Sequence, residues 1–241
     1  MYDNYISLGS NCEVGFQLRR LLGRDVATFF NWLVTPLDAL VKVIEADFAG
    51  VYAKENLRPT GDEEMIFDAG SGLKFHSAFR KELGRNLSGP RFDELYAESA
   101  AKYAMLAQRF RTLAQSSNRV AYLVKTTDEE ARHKTMAVHD VLKAHYPDHN
   151  FTLVALQTSD REEADWGEAN VRNRYLTRFA DPSRAHDGHV PSWDRIFSEF
   201  PLRPEAVKRV ITILAIPASL SLWPELAETA CALESCFSLV L

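Results

Sequence analysis

The sequence predicts an α/β domain: a mostly parallel sheet with helices on both faces, a β-hairpin insertion near residues 64–76 and C-terminal helices. Three observations lead to this. Short apolar runs recur at residues 5–8, 120–124 and 151–156, as strands covered on both faces require. Helical apolar spacing fills stretches between them. Glu64-Met65-Ile66-Phe67 and Leu73-Lys74-Phe75-His76 flank Ala69-Gly70-Ser71-Gly72, the pattern of two strands and a turn. The 241 residues read as one α/β domain, with residues 203–241 as a helical C-terminal appendage.

Tyr5-Ile6-Ser7-Leu8 is the first strand and Gly9-Ser10-Asn11 turns the chain. Val14, Leu18, Leu21 and Leu22 then recur at helical spacing, with Arg19 and Arg20 in the last turn and Gly23 just beyond. Residues 28–34 read as a second buried strand or extended segment. Thr35 caps the next helix and Pro36 takes its first position, ahead of an apolar stripe of Leu37, Leu40, Val41, Ile44 and Phe48. Residues 55–72 are polar and loop-like apart from the hairpin. A long helix spans about 92–115, and strand 120–124 leads to a helix capped by Thr127 or Asp128 and ending near His145. Strand 151–156 follows, with Tyr175-Leu176-Thr177-Arg178-Phe179 as one more. Helices are expected at 192–200, 203–215 and 224 to about 235.

Apolar residues at 46% and charged residues at 25% are ordinary for a globular chain. A net charge of -5 weighs against a general nucleic-acid binder. The three cysteines, Cys12, Cys231 and Cys236, do not make a disulfide framework, which points to a cytoplasmic protein with reduced thiols. No signal peptide is expected from the first residues. The longest uncharged run, 210–224, is too short to span a membrane and holds Pro217 and Pro224. That apolar region could complete the core, or dock a second copy or another partner.

Cys12 is the sharpest candidate for chemistry. Where a strand gives way to a helix, unpaired N–H groups favour thiolate over thiol and can hold an oxyanion. Gly9 lets the turn be tight, Ser10 sits within it, and Asn11 adds a side-chain donor. Glu13 acts the other way, since a neighbouring carboxylate raises a thiol pKa. Among seven histidines, His76 is the first choice for base, because it ends a strand between Phe75 and Phe79. Asn31, set among Phe29, Phe30, Trp32 and Leu33, can orient a histidine or tie down a loop. His186-Asp187-Gly188-His189 has metal-ligand residue types without a second cluster, so no metal is assigned.

Residues 6–19, from Ile6-Ser7-Leu8-Gly9-Ser10-Asn11-Cys12 to Arg19, resemble the opening of a bacterial family of unknown function labelled as putative papain-like cysteine peptidases. Phe30-Asn31-Trp32-Leu33 resembles its Phe-Asp-Trp segment, and Phe75-His76-Ser77-Ala78-Phe79 its His-Asp-Phe element. The stretch from Lys102 to Phe110 resembles its arginine-bearing helix, with Met105 and Leu106 where an arginine pair is expected and Arg109 retained. The resemblance implies Cys12 as nucleophile and His76 as base, with Arg109 left to meet substrate. A papain fold would pair a helical domain with an antiparallel one, whereas the strand–helix alternation here points to a parallel sheet.

The function expected is a thiol-dependent hydrolase or acyl transferase acting on an acyl, peptide or sugar-containing substrate without a cofactor. Two other classes fit the composition: a sugar or nucleotide-sugar transferase with a structural Cys12, and a non-catalytic binding module.

Overall fold

The computed structural model describes residues 1–61, 65–127 and 129–204. The helices expected beyond residue 204, the appendage and Asp128 as a cap lie outside the described residues.

Four strands, β1 (Asn4–Ser7), β6 (Val120–Lys125), β7 (Phe151–Thr158) and β8 (Val171–Leu176), form a parallel sheet in that spatial order. β6 is buried at all six positions, which explains its unbroken apolar run. Ile6, Val120, Tyr122, Val124, Leu153 and Ala155 face one layer, while Ala121, Leu123, Val154 and Leu156 face the other. Helices α1 (Glu13–Leu22) and α6 (Val190–Glu199) cover the second face through Val14, Leu18, Trp193, Ile196 and Phe197. α4 (Pro90–Ala114) and α5 (Ala131–His145) cover the first through Leu106, Phe110, Val138 and Leu142.

The hairpin is part of something larger. β4 (Met65–Asp68) and β5 (Lys74–His76) are the middle of a four-stranded antiparallel sheet, edged by β2 (Leu33–Val34) and β3 (Leu57–Pro59). Its apolar face, with Leu33, Ile66 and Phe75, shares the core of the first parallel layer together with α2 (Leu37–Glu45). β3 falls in the stretch read as loop, since a three-residue edge strand containing Pro59 carries almost no pattern. A short helix, α3 (Ala78–Leu83), follows β5.

Other departures have local causes. Residues 29–32 are turns rather than strand, because the aromatic side chains of Phe29 and Phe30 anchor a loop in the core. β8 begins at Val171, earlier than expected, because its alternating Arg172 and Arg174 break the apolar run. Thr35 does not cap α2: Pro36 holds that position without a side-chain bond, and the buried Thr35 hydroxyl has no hydrogen-bond partner among the described residues. Thr127 does not cap α5, which starts after Glu130. Among the described residues, strand order in the parallel sheet proceeds in one direction without reversal, and these strands form no switch-point crevice of the kind nucleotides use. Among the described residues no helix is long and apolar enough to cross a membrane.

At the lower edge of the sheet, His149 is buried with Nε2 2.9 Å from the Tyr122 hydroxyl, and its ring stacks on Phe151. Burial, helped by nearby Lys143, pushes its pKa down to about 4 from an ordinary 6.5. The folded state therefore resists protonation that the unfolded chain accepts. Its contribution is whole above pH 6.5 and is lost as pH falls from there toward 4. Urea denaturation at pH 7 and pH 4 should show the protein losing about 3 kcal/mol more than a His149→Gln variant. Equal losses would contradict this assignment.

Candidate active site

The turn after β1 is strained. Gly9 and Ser10 both have positive φ, 91° and 80°, and for serine this is uncommon. A Cβ on Gly9 would lie 2.6 Å from both Cβ and Oγ1 of Thr35, so only glycine admits the close approach. The Thr35 N–H donates to Ser10 O at 3.3 Å. These contacts clamp the turn to the junction of β2 and α2. β2 in turn pairs with β5, Leu33 opposite Phe75.

The clamp brings two distant residues together. Cys12, the N-cap of α1, places Sγ 3.5 Å from Nε2 of His76, the last residue of β5. The sulfur is half-buried and the imidazole exposed. This is hydrogen-bond range for a thiol and an imidazole, across 64 residues of chain.

Burial pushes the Cys12 thiol up to about 12. This reverses the expected thiolate preference. The rise corresponds to a few kcal/mol against the thiolate, whereas a helix N-terminus returns only about 0.3–1 kcal/mol. Desolvation wins, and the resting pair is a neutral thiol beside an imidazole.

Glu13 does not face the sulfur. Its carboxylate is fully buried and accepts from Lys125 Nζ at 2.7 Å, the Ala180 N–H at 3.1 Å and Trp193 Nε1 at 3.2 Å. Lys125, also buried, lies 4.2 Å from the Phe179 ring centroid and 3.5 Å from Asn11 Oδ1. Sequence reasoning does not single out Lys125 and Trp193 as residues that build the site. The signals were a lysine ending an otherwise apolar central strand and a glutamate on the buried side of an amphipathic helix.

Asn11 turns its oxygen inward, accepting the Glu13 N–H at 3.1 Å, so that oxygen caps the helix. The backbone N–H groups of Asn11 and Cys12 donate to no group among the described residues. Asn31 is buried, with Nδ2 donating to Val26 O at 2.5 Å and Oδ1 accepting from Thr28 Oγ1 at 2.6 Å. Its amide is spent on its own loop, the second of its two readings. Its backbone oxygen lies where a Cβ on Gly15 would come within 2.9 Å, so the loop rests directly on α1. Arg109 is half-buried on α4 and contacts neither Cys12 nor His76 among the described residues; burial lowers its pKa. In the His186–His189 segment, His186 pairs with Asp187 and His189 Nδ1 lies 2.7 Å from Ser192 Oγ. Among the described residues no three His, Cys, Asp or Glu side chains group as metal ligands.

The sequence profile of a family described as "Putative papain-like cysteine peptidase", a domain of unknown function, matches residues 3–181, and the chain belongs to that family. No curated protein and no solved structure matches it.

Two outcomes follow from this geometry. Thiolate absorbance at 240 nm, taken as the difference between the protein and a Cys12→Ser variant, should stay flat through pH 9. A midpoint near 7 would reveal a preformed thiolate instead. Replacing Lys125 by Met strands a buried carboxylate and should cost about 3–5 kcal/mol in urea unfolding, with Glu13→Gln/Lys125→Met recovering much of it. A double variant no better than the single one would remove the pair from its structural role.

Proposed function

We propose that this member of the family is a thiol-dependent acyl-transfer enzyme, a hydrolase or acyl transferase, in which Cys12 is the nucleophile and His76 the general base. The observation that supports the reading is the 3.5 Å separation of Cys12 Sγ and His76 Nε2. Cys12 heads the helix that follows β1 and His76 ends β5 of the antiparallel sheet, and the strained turn and the Gly9–Thr35 contact support their approach.

The raised thiol pKa sets the order of events. As Sγ attacks an acyl carbonyl, His76 Nε2 takes the thiol proton, so no free thiolate accumulates. The carbonyl electrons move to an oxyanion, for which the undonated N–H groups of Asn11 and Cys12 are the local donors. The imidazolium returns the proton to the leaving group as the tetrahedral species collapses to a thioester. Water, deprotonated by His76, then attacks the thioester, and the thiol departs with the proton. A second nucleophile in place of water would make the same site a transferase. No step calls on a cofactor. Gly9 and Ser10 shape the turn, and Asn31 supports the dyad only through its loop. Peptide bonds, esters and thioesters all supply the required carbonyl.

The test uses p-nitrophenyl acetate, with p-nitrophenolate release followed by absorbance and Cys12 acetylation by intact mass. His76→Gln should slow acetylation of Cys12 by about 10²–10⁴-fold, and Cys12→Ala should abolish it, with circular dichroism unchanged in both. Acetylation of Cys12 at an equal rate in His76→Gln would overturn the proposal.

A further inference from the structure

The sulfur does not stand alone on its helix. On α1, Glu13, Val14, Gly15, Gln17 and Leu18 are buried, which leaves Cys12, Phe16 and Arg19 along the uncovered ridge. Residues spaced by four and then three lie one above another on a helix. Trp32 extends the ridge sideways: its ring meets Phe16 edge-on at 5.1 Å between centroids. The close seat of Asn31 on Gly15 holds Trp32 in that place. His186 closes the other side of Phe16, with 6.1 Å between ring centroids.

Arg19 packs against these rings and is attracted at longer range by Asp25. Its guanidinium carbon lies 4.9 Å from the Phe16 centroid and 5.5 Å from the Trp32 centroid. It makes no hydrogen bond or ion pair among the described residues, unlike Arg20 on the next position, which pairs with Asp194 at 2.6 Å. Asp25 and Lys102 are the other charged groups in the neighbourhood; Asp25 is attracted by both Arg19 and Lys102 but makes no hydrogen bond to the guanidinium among the described residues, so the Arg19 N–H fork stays open. A guanidinium braced by aromatic rings presents its N–H fork with little entropy left to lose, the arrangement suited to a carboxylate.

We infer that Phe16, Trp32 and Arg19 form a substrate-binding ledge that selects an acidic group on an extended acyl or peptide chain reacting at Cys12. The spacing gives the length. Seven residues of helix separate Cys12 from Arg19, a rise of about 10.5 Å. An extended chain advances about 3.3–3.6 Å per residue, so the acidic group sits about three residues from the carbon under attack. Apolar atoms of the intervening chain lie over Phe16 and Trp32. This rests on the proposed thiol chemistry only for the identity of the reacting atom, since the ledge itself is a binding feature.

The experiment compares two alkylating probes, iodoacetyl-Gly-Asp-amide and its neutral isostere iodoacetyl-Gly-Asn-amide, at low salt and pH 8. Intact mass and peptide mapping give the rate at Cys12. The acidic probe should react about tenfold faster, and 0.5 M NaCl should erase most of the difference. Arg19→Gln should bring the two rates together, and Arg19→Glu should invert their order. Equal rates for the two probes on the unaltered protein would overturn the inference. An acid preference that survives Arg19→Gln would overturn the role of Arg19. These outcomes are separable from the dyad. If p-nitrophenyl acetate shows His76-dependent acylation while the two peptides react alike, the ledge alone fails. If the acid preference stands without His76-dependent acylation, the ledge survives and the acyl-transfer reading falls.

Discussion

A carboxylate with no solvent exposure sits one residue from the candidate nucleophile, and it is tolerable there only because Lys125 reaches it at 2.7 Å. Desolvating Glu13 alone would cost several kcal/mol and would place a bare negative charge beside a thiol asked to give up its proton. Lys125 comes from the carboxyl end of β6, and Trp193 and the Ala180 N–H come from the chain that covers α1. One carboxylate therefore joins the central strand, the first helix, the 177–189 loop and α6. The pair keeps α1 in register on the sheet, and the position of Cys12 at the head of α1 depends on that register.

The second constraint is steric. Two successive residues with positive φ, Gly9 and Ser10, let the chain leave β1 and enter α1 with Cys12 at the helix head. Because Gly9 has no side chain, Thr35 can press against the turn, and through β2 the His76-bearing strand is brought alongside. Strain in a short turn persists only where its surroundings over-determine it. Here the surroundings are a parallel sheet on one side and an antiparallel sheet on the other, both feeding one core. The framework holding the turn is a parallel α/β sheet with an antiparallel companion.

The electrostatics of the pair are those of a proton held until needed. Burial outweighs the helix N-terminus, so the thiol stays protonated beside the imidazole. On the proposed reading, such a thiol would react slowly with indiscriminate electrophiles and depend on substrate bound close to both atoms. The aromatic ledge with Arg19 lies along the same uncovered ridge of α1, where bound substrate would have to pass. On the proposed reading, the nucleophile and the ledge share one helix, whose buried side is fixed by the Glu13–Lys125 pair, and His76 comes to it from β5.

The sequence by itself determined three strands of the parallel sheet, the hairpin and the main helices that cover them, because burial on two faces leaves continuous apolar runs and burial on one leaves periodic ones; the start of β8 it misplaced, since Arg172 and Arg174 break that run. It also marked Cys12 at a strand–helix junction, and residue resemblance singled out His76. It could not determine that β3 exists, since three residues with a proline carry no periodicity, nor that Thr35 spends itself on Gly9 instead of capping α2. The meeting of Cys12 with His76 is a contact across 64 residues, set by which edge of one sheet abuts the other. The thiol pKa likewise depends on how much water reaches the sulfur, and the partner of Glu13 on which strand end lies behind the helix. These are properties of packing in three dimensions, which no local spacing of residues encodes.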